Sequence, residues 1–62
     1  MQAIIKTLVD GKEIRTAIDN VKNIEECDGI TEGLVRIHYI GSNGKLKMES
    51  VLLNGYTELL VR

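Results

Sequence analysis

Four glycines of this chain follow Asp or Asn, and three of these pairs stand between apolar segments as hairpin turns would: Asp10-Gly11, Asn43-Gly44 and Asn54-Gly55. Such pairs reach positive φ at low cost, which the tight turns of β-hairpins require. Each lies within a few residues of Ile, Leu or Val, and proline is absent. β-branched side chains fit a pleated, half-buried surface better than a helix, and without proline no segment is barred from a sheet. A chain punctuated in this way is expected to form short antiparallel strands. Its 62 residues leave room for one domain, residues 1–62.

The second half reads most clearly. In "GLVRIHYIGSNGKLKMESVLL" two strands flank a loop over residues 41–44, which sets Ile40 opposite Lys45. Counting outward pairs Tyr39 with Leu46, His38 with Lys47, Ile37 with Met48 and Arg36 with Glu49. Val35, Ile37, Tyr39, Leu46 and Met48 then share one face. Arg36, His38, Lys45, Lys47 and Glu49 share the other. A slip of one residue would exchange the faces of one strand, so this agreement favours the register. A two-residue turn at Asn54-Gly55 would pair Leu53 with Tyr56 and add Leu52, Leu59 and Val61 to the inner face. Residues 33–62 are thus expected to form a three-stranded meander.

The first half admits two readings. "AIIKTLV" is a strand that Asp10-Gly11 turns into "KEIRTAID", with Ile5, Thr7 and Val9 on the face of Ile14, Thr16 and Ile18. Ile14, Ala17, Ile18, Val21 and Ile24 also recur at helical spacing, and Gly29 would end such a helix. The Asp-Gly turn, the β-branched residues, and Asn20 and Asn23 within the span favour strand over helix for residues 12–27. The strand reading gives an all-β fold, a small five-stranded antiparallel sheet or an SH3-like or OB-like barrel. The helix reading gives an α+β fold of order β-α-β-β-β.

Composition narrows the function classes. The apolar fraction of 44% is too high for a disordered chain. A net charge of −1 supplies no strong field toward nucleic acid or acidic membranes. The single cysteine, Cys27, excludes a disulfide framework within one chain and makes a reducing cytoplasm the expected location. The start, "MQAIIKTLVDGKEI", lacks the basic segment and long apolar run of a signal peptide. No apolar stretch approaches the roughly 20 residues that span a bilayer.

No group of residues specifies catalysis. "EECDGITE" gathers Glu25, Glu26, Asp28 and Glu32, but without the alternating Asp/Asn pattern of a calcium loop it reads as a solvated acidic loop. The carboxylates around Cys27 disfavour its thiolate, so it reads as a small apolar filler. His38 has no serine or carboxylate placed by sequence as a partner, and no cofactor or metal is implied. "GSNG" joins two strands rather than opening a helix, so it is a turn and not a phosphate cradle.

Two surfaces remain. The register above puts Leu34 opposite Val51 and leaves Leu53, Tyr56 and Leu60 on the same outer end of the meander. Exposed apolar clusters of this kind mark contact sites. The expected function is therefore a non-enzymatic protein-interaction module that self-associates, with Leu34, Val51, Leu53, Tyr56 and Leu60 as the contact residues. The alternative is a small nucleic-acid-binding barrel that uses the basic set Arg36, His38, Lys45, Lys47 and Arg62. No membrane or small-molecule substrate is implied, and the sequence leaves the partner and the biological process open.

Overall fold

The computed structural model describes residues 1–62, and every regular element in it is a strand. There are six: β1 (Ala3–Val9), β2 (Lys12–Ile18), β3 (Val21–Glu26), β4 (Leu34–Ile40), β5 (Leu46–Leu52) and β6 (Thr57–Val61). They form two three-stranded antiparallel sheets, β2-β1-β6 and β3-β4-β5. The all-β expectation holds, but a single five-stranded sheet does not form. The helix over residues 12–27 does not form either, since β2 and β3 occupy that span.

The β1–β2 hairpin follows the sequence closely. Asp10 and Gly11 take φ of 51° and 76°, the paired positive values of a type I′ turn. Ile5 faces Thr16 and Thr7 faces Ile14, as alternation requires. β2 then breaks at Asp19-Asn20, where Asn20 has φ 58°, and the chain crosses into the second sheet as β3. Two hydrogen bonds fasten this corner: Val21 N–H donates to Met1 O, and Ile40 N–H donates to Asn20 O.

β3 accounts for the helical spacing of Val21 and Ile24. Val21 pairs with Tyr39 and Asn23 with His38, so the register shifts by one residue between Val21 and Asn23. A bulge of this kind puts two residues three apart on the same face of a strand. Val21 and Ile24 both join the core side for that reason.

The β4–β5 register differs from the expected one. Gly44 N–H donates to Gly41 O, Gly41 N–H donates to Lys45 O, and Gly44 has φ 78°. This is a three-residue hairpin loop, a turn followed by a glycine in the left-handed region. The loop accordingly pairs Ile40 with Leu46, Tyr39 with Lys47, His38 with Met48 and Ile37 with Glu49. The change of one residue turns Leu46, Met48 and Leu52 away from the core. Likewise, Leu34 lies opposite Leu52, and Val51 lies opposite Val35.

The meander over residues 33–62 is also corrected. Leu53 N–H still bonds to Gly33 O, extending the β4 pairing, but the turn that follows closes as a bridge between Asn54 and Thr57. Asn54 Oδ1 accepts the Tyr56 N–H at 2.7 Å. β6 leaves the second sheet and pairs with β1, Ile5 opposite Leu59 and Ala3 opposite Val61. The unpaired edge of β1 thus captures the last strand.

The core lies where the two sheets face each other. Ala3 and Ile18 come from the first sheet, and Val21, Val35 and Ile37 from the second. Ile5, Ile24, Tyr39, Val51, Leu53 and Leu59 pack around them, half-buried. Cys27 is buried and unpaired at the end of β3. The far ends of the β1–β2 and β4–β5 hairpins reach past this contact, and most of their side chains are exposed.

Candidate protein-interaction surface

Six of 62 residues are buried, while eleven large apolar side chains are exposed. The accessible area is 4484 Å². Folded monomers of this chain's 6.9 kDa expose about 4000 Å². The radius of gyration is 12.0 Å, against about 10.6 Å for a compact chain of this length. The molecule is therefore more open than its size requires, and the surplus surface is rich in apolar groups.

Six of the eleven fall into two outer patches. On the second sheet, Leu46, Met48 and Leu52 project outward from β5 and are 68%, 49% and 48% exposed. Ile40 and Leu34 of β4 lie directly opposite Leu46 and Leu52. On the first sheet, Ile4 faces Leu60 across β1 and β6. Leu8 lies near Tyr56, whose carbonyl accepts the Leu8 N–H at 2.9 Å. Charges interrupt this second patch: Glu13 accepts a hydrogen bond from Arg15 at 2.7 Å and pairs with Lys6 at 3.5 Å. The Arg15 hydrogen bond, opposed by slight desolvation and helped by the two positive charges, holds the Glu13 carboxyl below its ordinary range.

The five residues expected to make contacts do not form one cluster. Leu34 belongs to the outer patch of the second sheet. Tyr56, 70% exposed, and Leu60 belong to the first. Val51 and Leu53 point inward and pack against the core. The residues that the expectation missed are Leu46, Met48 and Leu52. A glycine closing a three-residue "SNG" loop is the signal in the sequence that marks their outward phase.

The basic set is spread still more widely. Arg36 and His38 share the outer face of β4, and His38 Nε2 lies 3.2 Å from Glu25 Oε1. The Arg36 Nε is shielded from solvent and has no hydrogen-bond partner. Lys45 sits in the hairpin loop, Lys47 projects from the opposite face of the same sheet, and Arg62 pairs with Gln2 at the edge of the first sheet. The structure does not join these five into a continuous groove.

The acidic loop is tied down from within: Gly33 N–H donates to Asp28 Oδ1 at 3.0 Å, and Cys27 O accepts from Ile30 and Thr31. Asp28 thus serves the turn that returns the chain to β4. Between the sheets, a cleft of about 480 Å³ opens beside Ile5, Thr16, Ile18, Tyr39 and Glu49. It marks where the two sheets diverge beyond the core.

Comparison of the chain with protein-family models, with curated proteins and with solved structures finds no match.

Proposed function

We propose that the protein is a non-enzymatic interaction module built on an SH3-like arrangement of strands, and that it binds a second copy of itself. The observation that carries this reading is the imbalance between six buried residues and eleven exposed large apolar ones. A core of that size supplies only a few kcal/mol of stability, about 3–5 in a domain this small. Association would bury part of the surplus and stabilise the fold. The strand order supports the SH3-like part. If β2 and β3 are two halves of one strand bent at Asp19-Asn20, the chain has five strands, in the order β6-β1-β2/β3-β4-β5. The buried, unpaired Cys27 fits a reducing compartment, and we place the protein in the cytoplasm. No helix is long and apolar enough to cross a membrane.

Coupling between folding and association makes thermal stability depend on concentration. The midpoint is expected to rise by several degrees when protein concentration increases about a hundredfold, because the dimer term grows as RT ln of concentration. Differential scanning calorimetry over that range is the check. A midpoint that stays constant would remove self-association.

A further inference from the structure

The free edge of β5 shows which surface a second copy would take. The hydrogen bonds at the two ends of the β4–β5 ladder set its phase: Gly41 N–H donates to Lys45 O, and Leu53 N–H to Gly33 O. Hydrogen-bonded positions alternate along an antiparallel pair. Lys45, Lys47, Glu49, Val51 and Leu53 therefore turn their backbone groups toward β4. Leu46, Met48, Ser50 and Leu52 turn theirs outward. β5 ends its sheet, so those outward groups have no strand beside them.

The other edges are guarded in ways that β5 is not. β2 presents Glu13 and Arg15, already paired to each other. β3 is bulged between Val21 and Asn23. β6 has five residues. β5 has seven residues in unbroken register with β4 and no proline. Bulges, charged side chains and short length are the usual defences of a sheet edge; β5 has only charges, Lys47 and Glu49, which are unpaired within the chain, and a long straight edge of this kind is a template for strand addition once those charges find partners.

We infer that the β5 edges of two copies pair antiparallel about a two-fold axis at Met48, joining two three-stranded sheets into one of six strands. This rests on the self-association proposed above and names its interface. The charges select the register. An axis at Lys47 or at Glu49 would set that residue against its own copy. An axis at Ser50 would set both charges opposite apolar residues. With the axis at Met48, Lys47 of each copy faces Glu49 of the other, and no like charges meet. Lys47 and Glu49 have no oppositely charged partner within their own chain. They occupy non-hydrogen-bonded positions of the new pair, where side chains approach most closely. On the outer face, Met48 meets its own copy and Leu46 lies beside it, so the pairing covers part of the apolar patch.

A charge exchange tests the register. Lys47→Glu and Glu49→Lys each turn two attractive pairs into two repulsive ones, and each is expected to raise the dimer dissociation constant about tenfold or more. The double variant K47E/E49K restores opposite charges across the axis and is expected to return the constant to near the wild-type value. Both positions are exposed, so circular dichroism should show that each variant keeps the β fold. A Met48→Cys variant adds a second readout. Directly opposed hydrogen-bonded residues have Cα atoms about 5.5 Å apart, within disulfide range, so oxidation should give a covalent dimer. Wild-type protein that is dimeric, with single variants that dimerise equally well or a double variant that fails to recover, overturns the β5 pairing and leaves self-association standing. A wild-type protein that remains monomeric overturns both.

Discussion

Replacing Ile37 by Ala is expected to unfold the protein at ordinary temperature. Ile37 is fully enclosed, the largest side chain in the molecule to be so, and it sits at the centre of the small cluster that joins the sheets. Truncating a buried Ile to Ala costs about 2–5 kcal/mol through lost transfer energy and the cavity left behind. A domain of this size has about 3–5 kcal/mol to lose. Far-UV circular dichroism with urea titration should show a variant without a native baseline. Ile14 provides the contrast. It is equally β-branched but half exposed at the far end of its hairpin, so Ile14→Ala should shift stability by no more than about 1 kcal/mol. If the two substitutions cost the same, the core is not where the sheets are described as meeting.

Gly33→Ala is expected to be nearly as damaging, for a backbone reason. Gly33 has φ +80°, and a Cβ there would collide with the carbonyl oxygen of Leu53. That oxygen belongs to the backbone of the segment whose N–H bonds to Gly33 O, so it cannot turn aside without breaking the pairing. The left-handed conformation alone costs a residue with a side chain about 1–2 kcal/mol. The collision adds to this, and the total should exceed about 2 kcal/mol. Gly29 lies in the same loop with an ordinary φ and open space where a Cβ would sit. Gly29→Ala should therefore change the urea midpoint little, and a comparable loss at both positions would contradict the described packing of Gly33.

The hairpins show where the sequence could be read and where it could not. Alternation around Asp10-Gly11 gave the β1–β2 pairing residue by residue, because a two-residue type I′ loop permits one register. The same logic failed at "GSNG" by a single residue. A four-residue and a three-residue loop look alike in composition, yet they place opposite faces of β5 toward the core. The alternation of β5 pointed to the wrong choice, since Leu46 and Met48 are apolar and nevertheless face outward. β3 stayed hidden because its bulge gave Val21 and Ile24 a helical interval. The destination of β6 could not be read from Asn54-Gly55, because a turn fixes local direction while the choice between the β5 and β1 edges is made by long-range packing.

The exposed apolar surface was legible in kind more than in position. The lack of burial for so many Leu, Ile and Val residues follows from the length of the chain, and the structure retains it. The specific residues depended on the β5 register, so Val51 and Leu53 moved to the core while Leu46, Met48 and Leu52 moved to the surface. An apolar strand face pointing outward conflicts with its local pattern, and such conflicts concentrate where a surface has a second task.

Sedimentation equilibrium of the unmodified protein decides whether it self-associates. The mass is expected to rise with concentration from 6.9 kDa toward twice that value, reaching the dimer by about 100 µM, which corresponds to a modest association energy for an interface of this kind. A single species at the monomer mass throughout that range would contradict self-association.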